Sequence, residues 1–411
     1  MARTFLIVGA GLAGAKAAEA LRDEGFDGRV IVLGAEHEPP YERPPLSKEY
    51  LRGESERAKT AVHDEGFYVA HDIELRRGVA VEALDTRAGE VIVAGGEHVR
   101  YDKLLLTTGA RPRRLELAGG QLDGIHELRT LQDADELRAG LVPGARIVVV
   151  GAGWIGCEVA ASARSLGCDV DVVEPLSVPL ERVLGPQLGA VYRDIHAAHG
   201  VRMHLGRGVV GFGGSERVSA VLTSEGQRLP CDLVLVGAGV TPRTELAQRA
   251  GIAVENGIVV DEYLRTSAPD VFAAGDVAAA RHPSLGRHIR VEHWANALNQ
   301  GPAAARNMLG KQVAYDRIPY FFSDQYDVGM EYSGLAEPGD DLVIRGDLDA
   351  REFIAFWQRD GAVVAGMNVN VWDVTDPIQA LIRSGAPIDP ARLADPAIGL
   401  QDVLSQVGAG G

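Results

Sequence analysis

The chain has 411 residues, enough for two to four domains with sizeable cores. It carries 41 Lys and Arg against 57 Asp and Glu, a net charge of −16, which argues against nucleic acid or an anionic membrane as a main partner. No apolar run reaches the ~18 residues of a membrane span, and the N-terminus runs directly into a strand at Thr4, so neither a span nor a signal peptide is expected. Cys157, Cys168 and Cys231 stand apart with no C-x-x-C spacing, so no redox disulfide and no metal site is expected, and the cytoplasm is the expected compartment.

The first elements read as strand, turn, helix, strand. Phe5-Leu6-Ile7-Val8 predicts a buried strand. Gly9-Ala10-Gly11-Leu12-Ala13-Gly14 follows and opens a helix from Leu12 to Glu24, and Val30-Ile31-Val32-Leu33 is the next strand. In such a unit the first glycine permits the tight turn, the second lets backbone approach a pyrophosphate, and the third lets helix pack on strand. The helix start adds free N–H groups and a positive dipole end. Gly9, Gly11, Leu12, Ala13 and Gly14 are therefore candidate dinucleotide ligands, with Glu36 as the carboxylate for a ribose diol. Residues 36–60 begin proline-rich and turn polar and helical, with Ser47 as a helix cap. Val91–Val93 and Leu104–Leu106 predict strands, the latter breaking at Gly109, and Leu131 to Leu141 predicts a helix.

A second copy of the device then appears. Ile147-Val148-Val149-Val150 leads into Gly151-Ala152-Gly153-Trp154-Ile155-Gly156, and Val170–Val173 ends at Glu174, 23 residues after Gly151. Gly151, Gly153, Ile155 and Gly156 are read as a second phosphate cradle. A carboxylate at Glu174 would accept the 2′-hydroxyl of NADH and repel the 2′-phosphate of NADPH. Arg182 could lie along the adenosine or pyrophosphate, or be a solvated loop arginine. One G-x-G-x-x-G is a weak signal; two, each leaving a buried strand and opening a helix, suggest two dinucleotides that exchange electrons. Leu233–Val236 repeats the strand-to-glycine break at Gly237-Ala238-Gly239. Val271-Phe272-Ala273-Ala274-Gly275-Asp276-Val277 predicts another strand-to-helix turn, where Asp276 could accept from flavin ribityl hydroxyls and the Val277 N–H could meet phosphate. From Pro319 the pattern changes: Val343–Arg345, Phe353–Trp357 and Ala362–Val369 alternate as strands, with helices beyond Pro377.

Pro40-Tyr41-Glu42-Arg43-Pro44-Pro45-Leu46-Ser47-Lys48, Val291-Glu292-His293-Trp294-Ala295-Asn296-Ala297 and Pro319-Tyr320-Phe321-Phe322-Ser323-Asp324-Gln325 narrow the reading. With the two glycine turns, they resemble the putidaredoxin-reductase-like flavoproteins, a likeness covering nearly the full length. That family includes the ferredoxin reductases of Rieske dioxygenases and bacterial cytochromes P450, and apoptosis-inducing factor is a relative. The resemblance implies an α/β fold of two Rossmann-like domains plus a C-terminal α+β domain: FAD held by 1–113 and 240–318, NAD by 114–239, and 319–411 as the third domain. It implies FAD contacts from Ala35, Arg43, Lys48, Val81, Gly109, Arg129, Trp294 and Phe322, and NAD contacts from Glu158 and Gly239. It also implies a catalytic ion pair of Lys48 with Glu158 beside the isoalloxazine; the bland reading of Glu158 is a carboxylate at ease near a helix N-terminus. Two positions depart from the family: Ala35 replaces a frequent acidic residue, and Phe322 replaces a frequent tryptophan.

The implied activity is transfer of electrons from NADH through FAD, one at a time, to a [2Fe–2S] ferredoxin serving a P450 or Rieske oxygenase. The alternatives are an NADH oxidase, peroxidase-type or rubredoxin reductase, and a non-catalytic NADH-sensing flavoprotein. An acidic ferredoxin needs a basic face, for which Arg281 to Arg290, with Arg306, Lys311 and Arg317, is the densest candidate.

Overall fold

A computed structural model describes residues 3–64 and 66–405. They fall into two compact units: residues 1–44, 56–111 and 240–317 form the first, and residues 45–55, 112–239 and 318–411 the second.

The first unit is built on a five-stranded sheet in the order Val271–Ala273, Lys103–Leu106, Thr4–Val8, Arg29–Leu33, Ile73–Arg76. Every pair is parallel, with Phe5 opposite both Val30 and Lys103. Unbroken apolar runs suit strands covered on both faces, and Phe5, Leu6, Ile7, Leu104, Leu105 and Leu106 are all fully buried. Helix Leu12–Asp23 packs closely on helix Trp294–Met308, where a Cβ at Gly301 would overlap the Ala13 carbonyl. An antiparallel meander, Val81–Asp85, Glu90–Val93 and His98–Arg100, adds Leu84, Val91, Val93 and Val99 to the same core.

One expectation fails here. After strand Val271–Ala273 the chain does not enter a helix. Gly275–Val277 is a single 3-10 turn, and Ala278–His282 continues as a strand pairing parallel with Gly257–Val260. Gly275, at φ 79°, turns the chain, and the small residues Ala278, Ala279 and Ala280 seat in the second sheet.

The second unit repeats the parallel plan in the order Arg202–Leu205, Asp169–Glu174, Arg146–Val150, Leu233–Val236, Ile125–His126. Helix Trp154–Ser165 follows its glycine turn. Helix Glu181–Ala198 is broken at Gly185, the residue before Pro186, as proline disfavours a helical predecessor. The C-terminal part is a five-stranded antiparallel sheet, ordered Tyr320–Gln325, Val328–Gly334, Ala362–Val369, Glu352–Arg359, Asp341–Asp347, with helix Thr375–Ser384 behind it. The alternation at 343–345, 353–357 and 362–369 marks three of these strands; the first two, at 320–334, were not foreseen as strands. Phe321, Tyr332 and Trp357 join Leu184, Tyr192 and Trp154 in one apolar cluster. Segment 45–55 belongs to this unit because Leu51 is fully buried in that cluster.

Candidate functional site

The twin turns are physically equivalent. Gly9 (φ 118°) and Gly151 (φ 99°) adopt backbone that side chains rarely tolerate, and a Cβ on either would meet a carbonyl, of Thr107 and Gly237 respectively. A Cβ on Gly14 or Gly156 would overlap the carbonyl of Gly9 or Gly151, so these glycines let helix meet strand. Gly11 and Gly153 are different: nothing lies within 4 Å of a Cβ built there. Each is the N-cap of its helix, and no side chain caps either one. Uncapped N–H groups at helix starts with open space beside Gly11 and Gly153 suit a pyrophosphate, so the residues present fit a dinucleotide in each unit. Leu12 and Ala13 are buried in the first helical turn, whereas Ile155 is 45% exposed in the second.

Around the first turn, Thr107 Oγ1 donates to the Gly9 carbonyl at 2.8 Å and ties the sheet to the loop. Glu36 accepts from the Tyr41 hydroxyl at 2.6 Å and lies 3.4 Å from the Arg43 guanidinium. Burial opposes the Arg43 charge, but Tyr41, Glu36 and Asp276 outweigh it and hold its pKa above the ordinary value. Asp276 is 9% exposed and Val277 fully buried in the 3-10 turn. The turn is fixed by Gln300, whose Oε1 accepts from the Gly275 N–H at 2.9 Å. Ala35 is exposed just beyond the second strand, Val81 opens the meander, Gly109 (φ 67°) ends the Lys103–Leu106 segment, and Trp294 begins its helix.

In the second unit, Glu174 is 8% exposed and both its oxygens are engaged. Oε2 accepts from the Ala152 N–H at 2.7 Å and Oε1 from the Leu176 N–H at 3.0 Å. The carboxylate is thus locked to the glycine turn by main-chain donors. By register Val173 is opposite Val150, as Leu33 is opposite Val8, so Glu174 corresponds to Gly34. Glu36 sits two residues further on, so the two candidate ribose carboxylates are not at matching positions. Arg182 is exposed in the first turn of helix Glu181–Ala198, and Gly239 (φ 91°) accepts from the Arg113 N–H at 2.9 Å. The Arg129 N–H donates to Asp133 within a capping box for helix Leu131–Gly140.

Lys48 and Glu158 do form an ion pair, at 2.9 Å, with side chains only 8% and 4% exposed. The Lys48 ammonium also lies 5.6 Å from the Phe322 ring centroid. The expectation that Ser47 caps the following helix is not met. The N-cap of helix Glu49–Arg52 is Lys48 itself, and the Ser47 hydroxyl donates to Glu158 Oε2. The helix starts one residue later than a Ser47 cap requires, and the Ser47 hydroxyl hydrogen goes to the buried carboxylate. Ser323 donates to Glu158 Oε1 at 2.7 Å. Ser323, Gln325 and His196 are site residues that the sequence does not single out; the alternating burial of Tyr320–Gln325 shows only in the folded sheet.

The basic stretch is divided. Arg281, Arg287 and His288 are exposed on the hairpin of Ala278–His282 and Arg287–Ile289. Arg306 and Lys311 both pair with Glu24, and Arg290 pairs with Glu292. All three cysteines are buried; burial, then Glu158 and Glu174, push the Cys157 thiol up, and burial and Asp232 push Cys231 up to about 11. Among the described residues no helix is long and apolar enough to cross a membrane.

Comparison with known proteins agrees with this plan. The family model described as pyridine nucleotide-disulphide oxidoreductase matches residues 3–301, and that described as reductase C-terminal matches residues 320–404. The chain is 41% identical over 404 residues to the ferredoxin–NAD(+) reductase component of the anthranilate 1,2-dioxygenase system of Burkholderia cepacia, covering 97% of this chain and 99% of that one. It is 36% identical over 406 residues to putidaredoxin reductase of Pseudomonas putida, covering 97% and 96%. A crystal structure of a covalent putidaredoxin reductase–putidaredoxin complex superposes with a TM-score of 0.96 at 36% identity, covering 99% of both chains. With twin glycine cradles, a reductase-type C-terminal sheet and full-length likeness to these reductases, the chain belongs to the pyridine nucleotide-disulphide oxidoreductases, within the family of ferredoxin reductases that serve P450 and dioxygenase systems.

Proposed function

We propose that the chain is an FAD-dependent NADH:ferredoxin reductase that delivers electrons to a [2Fe–2S] ferredoxin serving a cytochrome P450 or Rieske oxygenase. The observation that carries this reading is the pair of open, uncapped helix starts at Gly11 and Gly153, each bounded by glycines that no other residue could replace without overlap. Its relatives are named as ferredoxin reductase components, and one solved relative is joined to its ferredoxin.

In this assignment FAD belongs to residues 1–113 and 240–318 and NADH to 114–239. Gly9, Gly11, Leu12, Ala13 and Gly14 hold the FAD pyrophosphate, with Ala35, Glu36, Arg43, Val81, Gly109, Asp276, Val277 and Trp294 along the cofactor. Lys48, Arg129 and Phe322 serve its ring. Gly151, Gly153, Ile155, Gly156, Glu158, Glu174, Arg182 and Gly239 serve NADH. When bound, FAD supplies the exchange between a two-electron hydride donor and a one-electron acceptor. The protein's own part is electrostatic and positional. Glu158 holds the Lys48 ammonium in a nearly water-free setting, where a fixed positive charge favours negative charge developing nearby. Glu174, locked by two main-chain amides, presents a fixed carboxylate that disfavours a 2′-phosphate. Burial of every cysteine, with raised thiol pKa values, disfavours the disulfide or peroxide chemistry of the rival readings. A cytoplasmic location fits three reduced, unpaired cysteines.

The test is anaerobic titration of the yellow protein with NADH, followed by addition of an oxidised [2Fe–2S] ferredoxin. Bleaching by NADH and return of the colour on ferredoxin addition support the reading. Rapid oxygen consumption without any ferredoxin, and no transfer to one, would replace it with an oxidase.

A further inference from the structure

Glu158 is the end of a longer buried chain. Tyr320–Gln325 turns Phe321, Ser323 and Gln325 to one buried face, as strand periodicity requires. Ser323 Oγ lies 2.7 Å from Glu158 Oε1, Gln325 Nε2 lies 3.3 Å from Ser323 Oγ, and Gln325 Oε1 lies 2.9 Å from His196 Nε2. His196 Nδ1 lies 3.2 Å from the Tyr326 hydroxyl. His196 is fully buried, and Ser323 and Gln325 are each 1% exposed.

The chemistry of one end sets the direction of every bond. An ionised carboxylate only accepts, so the Ser323 hydroxyl must donate to Glu158. The Ser323 oxygen then accepts from the Gln325 amide, which turns the Gln325 carbonyl oxygen to His196. A carbonyl only accepts, so His196 must carry its hydrogen on Nε2. Nδ1 is left bare and accepts from Tyr326. Rotating the Gln325 amide would set its oxygen against the Ser323 oxygen, whose hydrogen is already given to Glu158, so two acceptors would face each other whichever tautomer His196 adopted.

We propose that His196, Gln325 and Ser323 are positioning residues that act through Glu158: a one-way chain of donors that holds Oε1, so that Oε2 stays facing the Lys48 ammonium. The proposal rests on the reductase reading for its functional consequence, but its structural core does not. Ser323 and Gln325 reach Glu158 and His196 from strand Tyr320–Gln325 of the C-terminal sheet, whereas the ion pair lies between residues 48 and 158, so the C-terminal sheet is what aligns it.

The first experiment is histidine nitrogen NMR on the full chain at neutral pH. The result expected is a neutral His196 with its hydrogen on Nε2. A hydrogen on Nδ1, or an imidazolium, overturns the proposal. This result stands whether or not the protein reduces a ferredoxin, so failure here is distinct from failure of the reductase reading. The second compares His196→Leu with His196→Gln, since glutamine retains a donor where Nε2 stands. Loss of one neutral hydrogen bond from the chain corresponds to about fivefold. His196→Leu should slow single-turnover reduction by NADH by about that factor and shift the flavin midpoint potential. His196→Gln should restore both. Equal loss in the two variants, or no change in either, refutes the positioning role. If His196→Leu fails to fold, Ser323→Ala, which deletes one oxygen, takes the same measurements with the same two outcomes.

Discussion

Replacing Glu158 by alanine is expected to cost about 4 kcal/mol of folding stability, well above an ordinary single substitution. Lys48 and Glu158 are 8% and 4% exposed and 2.9 Å apart, so removing the carboxylate takes its ion-pair partner from a buried ammonium. Breaking such a buried pair costs roughly 3–5 kcal/mol. The hydroxyls of Ser47 and Ser323 also lose their acceptor, at about 1 kcal/mol each, but they share one network with Lys48 and their losses overlap rather than add. Because most of the cost is a buried ammonium that has lost this carboxylate, Lys48→Met in the Glu158→Ala background should recover about 2 kcal/mol or more. The assay is urea unfolding of the four proteins of this double-mutant cycle, read by tryptophan fluorescence and compared at constant slope. A loss below about 1 kcal/mol for Glu158→Ala, or no recovery with Lys48→Met, would refute the claim that the pair is a buried, mutually dependent unit.

Glu174→Ala should raise the NADH requirement and narrow the preference for NADH over NADPH by at least about tenfold, measured as the ratio of kcat/KM values; a wild type that already prefers NADPH would contradict the assignment. Gly11→Val should fold with little change in melting temperature yet bind FAD poorly by absorbance, because its Cβ has open space, whereas Gly14→Ala should melt lower because its Cβ meets the Gly9 carbonyl. His196 is buried and neutral, and burial pushes its pKa down to about 4. Its folded value lies below the unfolded one of about 6.5, so the unfolded chain takes up the proton first and stability falls with acid through that window, by about 3 kcal/mol from this group. His196→Gln should flatten the pH dependence of unfolding there by about one proton; an unchanged slope would show that the ring titrates normally. Arg281→Ala and Arg287→Ala should slow ferredoxin association at low salt, whereas Arg306→Ala, already paired with Glu24, should have little effect; the reverse order in stopped-flow rates would move the docking face.

The elements legible in the sequence were those with a local signature. Both glycine turns announce themselves because backbone geometry admits no other residue at Gly9 or Gly151, and their strands are unbroken apolar runs. The turn at Asp276 misled because a Gly-Asp after a strand reads as a helix start, while the decision belonged to Gly257–Val260, a distant strand that claims Ala278–Ala280 as a neighbour. Ser47 misled for a similar reason: its proximity to a short helix suggested a cap, but the helix begins one residue later and the hydroxyl donates to a carboxylate 111 residues away. The Lys48–Glu158 pair came from family likeness, not spacing. Ser323, Gln325 and His196 stayed hidden because nothing local distinguishes a buried polar side chain on a strand from an exposed one until the sheet that covers it is known.

The central claim is that this chain turns one NADH into two reduced ferredoxins. The most direct test is a stoichiometric titration: FAD-loaded protein in catalytic amount, a limiting measured quantity of NADH, and excess oxidised [2Fe–2S] ferredoxin under anaerobic conditions. The account predicts two ferredoxins reduced for each NADH consumed, with NADPH a poor substitute. A protein that binds no FAD, or that consumes NADH without reducing ferredoxin, would contradict it.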